Sequence, residues 1–161
     1  MIRPVTLDDA PAITDIYNHY IADTTVSFET QPLTAAQMEK RIADLSASNP
    51  YYVNVDDNGN VTGYCYVHPW KERAAYSGTM ETTIYLKAGE EARGIGTALM
   101  KTLIEECRRR GYRILIACVT AENTGSVAFH KKLGFEQVSH FKKVGRKFNR
   151  LLDVIDLQYE L

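Results

Sequence analysis

The segment EEARGIGTAL, residues 90–99, restricts the possible folds of this chain more than any other stretch. Ahead of it lies the apolar-aromatic run Thr79–Leu86, and behind it Ile95, Leu99, Leu103 and Cys107 recur at helical spacing until Gly111 supplies the stop. A strand therefore feeds a helix through a turn that carries Gly94 and Gly96 at the first helical residues. A helix start leaves its first N–H groups without intrahelical partners and presents the positive end of the peptide dipole. Glycines there let an anion approach those amides, since no Cβ intervenes, and Arg93 adds a positive charge. The turn can cradle a phosphate, or it can simply be tight. No Gly-Lys-Ser/Thr ending follows, which excludes a P-loop, and the third glycine of a dinucleotide fingerprint is replaced by Leu99.

The rest of the chain alternates strand and helix signals. Residues 2–5 read as a short strand, and Thr6 with Asp9 caps a helix whose stripe is Ile13, Ile16, Tyr17, Tyr20 and Ile21. Thr34 and Gln37 form a capping box before Met38, Ile42 and Leu45, and this helix should end ahead of Pro50. Strands are expected at Tyr51–Val55 and 61–67 around the turn DDNGN, then at Thr79–Leu86 and 114–119. A short helix at 123–133 ends at Gly134, and two last strands are expected at 135–143 and 152–159. Lys142, Lys143, Arg146 and Lys147 are expected to straddle a solvated hairpin around Gly145. The sum is a single α+β domain: a mixed, mostly antiparallel sheet of about seven strands with about four helices.

Composition narrows the function classes. The 161 residues fit one domain, and a net charge of −1 provides no global field for nucleic acid. No apolar run is long enough to span a bilayer, and the opening MIRPVTLDDAPAI carries acids where a secretory signal would be apolar. Cys65, Cys107 and Cys118 show no C-x-x-C spacing and read as reduced core thiols, which points to the cytoplasm. The four histidines lack ligand spacing, so no metal is expected.

Glu81 stands out chemically. An acid inside the run Thr79–Leu86 is out of place unless it faces solvent or does chemistry, and partial burial would lift its pKa toward the range of a working base. Lys71, Arg73 and Tyr76 precede it between two strands, and arginine's planar fork suits a carboxylate or phosphinate. The alternative leaves the two cations in solvent, with Trp70 filling core. No G-x-S-x-G elbow is present, and Cys107 and Cys118 lie inside regular elements, so no covalent intermediate on the chain is expected.

The order strand, R-G-I-G, helix, apolar strand, Asn123 and S-V-A-F-H-K-K-L-G-F resembles the GNAT superfamily of N-acetyltransferases. I-Y-N-H-Y, T-T-V-S-F-E, H-P-W-K-E-R-A-A-Y and the closing D-L-Q-Y-E-L are similar to its phosphinothricin/methionine sulfoximine branch. The resemblance implies a sheet splayed between strands 4 and 5 with acetyl-CoA in the gap. It would place the pantetheine arm along Ile84, Tyr85 and Leu86, and the pyrophosphate at Ala92, Arg93, Gly94, Ile95, Gly96 and Thr97. Asn123 would bond the cofactor and Glu81 would be the base. His130, near the family's usual tyrosine, would protonate the leaving thiolate, orient a water or bond the cofactor. Asn18, Phe28 and Glu29 would join Lys71, Arg73 and Tyr76 around a small amine substrate, in a homodimer. Glu91 departs from the usual Gln/Arg of the glycine motif. Acetylation of a polyamine, an aminoglycoside or a protein N-terminus is a second reading, and a non-catalytic acyl-CoA sensor a third.

Overall fold

In the computed structural model, which describes residues 1–161, strand and helix alternate as the periodicities require. The strands are β1 (Ile2–Pro4), β2 (Tyr51–Val55), β3 (Val61–Pro69), β4 (Thr79–Leu86), β5 (Ile114–Thr120), β6 (Glu136–Gln137), β7 (Phe141–Lys147) and β8 (Arg150–Glu160). The helices are α1 (Ala10–Asp23), α2 (Ala35–Ser46), α3 (Ile95–Arg109) and α4 (Thr124–Lys132). The second starts at its expected cap, whereas Thr6 caps a short 3-10 turn, Leu7–Asp9, that precedes α1, which takes Asp9 as its own cap. Thr6 N–H donates to the Asp9 carboxylate (2.8 Å), which the Arg3 fork clamps at 2.7 and 2.8 Å. Thr34 and Gln37 exchange side-chain bonds of 2.9 and 3.2 Å.

One sheet runs β1-β2-β3-β4-β5-β8-β6, and β7 also pairs with β8. Only the β4–β5 contact is parallel. On one face Leu99, Met100, Leu103 and Cys107 of α3 pack on Cys65, Val67, Leu115 and Leu157. On the other, Ile13 and Ile16 of α1 and Met38 and Ile42 of α2 cover Tyr51, Val53 and Tyr64. Each such leucine or isoleucine contributes roughly 1.5–3 kcal/mol by leaving water. No helix is long and apolar enough to cross a membrane.

The C-terminal strands depart from expectation. In place of one strand over 135–143 there are two, because Ser139 interrupts the ladder. Its Oγ donates to Asp156 Oδ2 (2.9 Å) and accepts from Asp156 N–H (2.9 Å), so a side chain takes the place of a backbone partner. The hairpin turn is not at Gly145 either. It falls at Phe148 and Asn149, both at positive φ (50° and 56°), between the paired Lys147 and Arg150. Gly145 sits within β7 because the Phe28 ring lies against its backbone, where any Cβ would overlap the ring. Lys147, expected in solvent, is 5% exposed. Cys118, expected in the core, is exposed, since its side chain points off β5 into a cavity; Cys65 and Cys107 are buried as expected.

Candidate active site

The cavity originates in a failure of strand pairing. β4 and β5 pair from Thr79↔Ile114 to Thr82↔Ala117 and no further, although β4 continues to Leu86 and β5 to Thr120. Lys87 N–H bonds Thr62 O across to β3 (2.9 Å), so by strand alternation the N–H groups of Ile84 and Leu86 face the opposite side, into the gap. The Leu86 carbonyl on that side accepts from Tyr20 Oη at 2.7 Å. The gap opens into a cavity of about 460 Å³ whose walls include Tyr17, Phe28, Glu29, Glu81, Thr83, Tyr85, Cys118, Asn123 and His130.

Glu81 stands where the strands part. Its side chain is 28% exposed, and its one ion-pair partner is His68, with Nε2 3.8 Å from Oε1. Burial raises its pKa above the usual carboxylate range; His68 opposes that shift and Asp156 adds to it. Such a carboxylate takes up protons more readily than one in water. Cys118 next to it keeps its proton, burial pushing the thiol up to about 12.

His130 lies deeper, at 3% exposure. Its Nδ1 lies 2.8 Å from the Ser126 carbonyl, which can only accept, so Nδ1 carries the hydrogen and Nε2 the lone pair. Burial lowers its pKa, so it is neutral at pH 7. A neutral ring in this tautomer accepts a hydrogen bond at Nε2 and has no proton there to give. Asn123 caps α4, its Oδ1 accepting from Ser126 N–H at 3.2 Å.

The opposite wall is a strap of irregular chain, residues 24–29. Tyr17 Oη contacts both the Glu29 carboxylate and Ser27 Oγ. Arg41 grips Glu29 with both guanidinium nitrogens at 2.6 and 2.9 Å. This clamp holds the Glu29 carboxyl below its ordinary pKa, while burial and Glu29 push the Tyr17 phenol up to about 12. From the other end of the chain, Lys147 Nζ donates to Ser27 O (2.7 Å) and Thr120 Oγ1 to Thr25 O (2.8 Å).

The glycine turn before α3, like Leu86, is not part of the cavity wall. Gly94 has φ +81° as the residue before α3, a conformation that calls for glycine, and its Cβ direction is open space. The first backbone bond of α3 is Ala98 N–H to Gly94 O, so the N–H groups of residues 92–97 donate to nothing in the chain. Glu91 turns back to accept from Gly89 N–H (2.8 Å), and Arg93 pairs with Glu90 (2.9 Å).

Of the residues singled out by sequence, Glu81, His130, Asn123, Ile84, Tyr85, Phe28 and Glu29 share this cavity. Lys71, Arg73 and Tyr76 do not. They are exposed on the loop between β3 and β4, with the Lys71 ammonium 4.6 Å from the Trp70 ring. Asn18 serves the fold, exchanging hydrogen bonds of 2.8 and 2.9 Å with the Leu33 backbone. Sequence reasoning passed over Tyr17, Ser27, Cys118 and Ser126 as wall residues. It also passed over His68, whose signal was available: with β3 and β4 antiparallel, it falls directly opposite Glu81.

A family profile described as the acetyltransferase (GNAT) domain matches residues 2–155. The chain belongs to the GNAT family of acetyltransferases. It is 38% identical to the phosphinothricin N-acetyltransferase of Alcaligenes faecalis, over 99% of this chain and 82% of that protein. It is 32% identical to the L-methionine sulfoximine/L-methionine sulfone acetyltransferase of Pseudomonas aeruginosa, over 99% and 94% respectively. The solved phosphinothricin acetyltransferase of Sinorhizobium meliloti, in complex with acetyl-CoA, superposes with a TM-score of 0.96 at 33% identity, covering all of this chain and 88% of that one.

GNAT acetyltransferases use acetyl-CoA, and the features of this chain fit it. A strand edge with unpaired N–H groups matches the amides of a pantetheine arm, and the unpaired amides of residues 92–97 match a diphosphate.

Proposed function

We propose that this GNAT chain acetylates the α-amine of a small amino-acid-like acid of the phosphinothricin, methionine sulfoximine or methionine sulfone type. The single observation that carries the reading is Glu81. It is a carboxylate of raised pKa in the cavity, at the point where β4 and β5 separate. When bound, acetyl-CoA supplies the acetyl group as a thioester. Ile84 and Leu86 hold its arm by their free N–H groups, Tyr85 faces the same cavity, and Ala92, Arg93, Gly94, Ile95, Gly96 and Thr97 hold the diphosphate. Glu81 takes a proton from the substrate ammonium, leaving a neutral nitrogen with a lone pair. Asn123 and His130 Nε2 offer hydrogen-bond partners deeper in the cavity. Cys118, the one thiol in the cavity wall, keeps its proton, so in this reading the amine attacks directly in a ternary complex and its second proton leaves with the thiol.

In this reading Arg73 and Lys71, exposed on the β3–β4 loop outside the cavity wall, would have to reach in to meet the acid group of the substrate. Arg73→Ala should then raise KM for the amine severalfold and leave KM for acetyl-CoA unchanged; an unaltered amine KM removes Arg73 from recognition. The cavity wall itself holds Glu29 and Glu81 and no lysine or arginine, which favours a second reading, a cationic amine such as a polyamine or a protein N-terminus. Thiol release from acetyl-CoA against amino acids, sulfones, phosphinates and polyamines separates the two. Turnover confined to acceptors without a carboxylate or phosphinate overturns the first.

We also infer a homodimer in a reducing, cytoplasmic setting. Phe141, Val144, Phe148 and Leu151 of the β7–β8 hairpin are each more than half exposed, at 51, 60, 54 and 59%. The three cysteines are unpaired. Sedimentation at micromolar concentration giving only monomer would overturn the dimer.

A further inference from the structure

A base that has accepted a proton must release it before the next turnover, and the groups around Glu81 offer few exits. Cys118 on β5 keeps its own proton. Asp156 on β8 is a like charge, and the phenol of Tyr66 on β3 is pushed up by burial. Glu29, Tyr17 and His130 also line the cavity, but the only ion-pair partner of Glu81 is His68 on β3. Register places it opposite Glu81, and its side chain is 33% exposed, so one edge of the ring reaches water. Its Nδ1 lies 3.0 Å from the Pro69 carbonyl, which fixes the hydrogen on Nδ1 and leaves the lone pair on Nε2, the nitrogen 3.8 Å from Glu81 Oε1.

We propose that His68 acts through Glu81 as a positioning and relay residue, keeping the carboxylate ionised between turnovers and passing its proton to solvent. This rests on Glu81 being the base. The steps are proton transfers only. The ammonium N–H breaks as the proton goes to a Glu81 oxygen. The two side chains then close from 3.8 Å to hydrogen-bond distance, that O–H breaks as the proton goes to His68 Nε2, and the imidazolium gives a proton to buffer. In its charged form His68 also draws the Glu81 pKa down, opposing burial. Without it, Glu81 would be protonated over a wider acid range.

The test is His68→Gln, which keeps a polar group but cannot titrate, with His68→Asn as a second variant and Glu81→Gln alongside. We expect a roughly tenfold loss of kcat. The acid limb of kcat/KM should move to higher pH, and turnover should rise with imidazole concentration, while KM for acetyl-CoA and Tm stay unchanged. An acid limb identical to wild type and no response to imidazole, with Glu81→Gln inactive, overturns the relay alone. Full activity in Glu81→Gln overturns the base and the relay with it.

Discussion

The two walls of the cavity each present a glutamate, and the surroundings hold the two in opposite conditions. Glu29, on the strap, is gripped by both nitrogens of Arg41 and by the Tyr17 hydroxyl, and its carboxyl lies below the usual range. Glu81, on β4, has an imidazole at 3.8 Å and no other ionic partner, and burial lifts its carboxyl above that range. One residue type is thus a clamped structural anion on one wall and, in the proposed function, a proton acceptor on the other. Which it becomes is decided by hydrogen-bond donors: a carboxylate saturated with them has little tendency to pick up a proton.

Stability should follow opposite signs at the two sites. Glu29, with a lowered folded pKa, stabilises the fold above its unfolded pKa, and that contribution is lost as pH falls through the folded value. Glu81, with a raised folded pKa, costs nothing below its unfolded pKa and costs most above the folded one. The contrast would break first at Glu81→Gln. We expect kcat to fall by about 10²–10⁴ with acetyl-CoA affinity by calorimetry unchanged, and Tm at pH 8 to rise. A fall in Tm would mean that Glu81 is a structural anion like Glu29.

Next in size is Lys147→Met, which strips the Ser27 carbonyl of a buried donor and should cost about 1–3 kcal/mol in urea unfolding. It should also raise the amine KM, because the strap loses its tether. Arg41→Met should cost about 1 kcal/mol at neutral pH, the pair being partly exposed, and progressively less at pH values below the ordinary carboxylate range. A penalty constant from pH 3 to 8 would show that packing, not the Glu29 charge, is what Arg41 provides. Smallest is Tyr17→Phe, expected to cost about 0.5 kcal/mol with kcat nearly intact.

Most elements could be read from local pattern. The caps at Thr6 and Thr34, the hairpin at Gly59, the apolar run of β5 and the glycine turn before α3 are all decided by neighbours in sequence. Glu81 was visible because an acid inside an apolar strand is anomalous. What escaped depends on distant partners. Ser139 breaks a strand only because Asp156 sits beside it, and Gly145 leaves the turn only because Phe28 needs its surface. The positive-φ turn falls on Phe148 and Asn149, where phenylalanine gives no turn signal. Arg41 and Lys147 look like solvent cations until α2 and β7 are placed against the strap. The loop carrying Lys71 and Arg73 was legible as a loop, but the absence of its side chains from the cavity wall was not.

The bond from Lys147 to Ser27 spans 120 positions of sequence. Closing so large a loop is slow, because its entropy must be lost before the contact repays it. A chain emerging from a ribosome can assemble α1, α2 and β2–β3 early and tie Glu29 to Tyr17 and Arg41, yet the Lys147 tether of its strap waits until the final hairpin is free. Catalytic competence should therefore arrive late and all at once, leaving incomplete chains inert toward cellular amines.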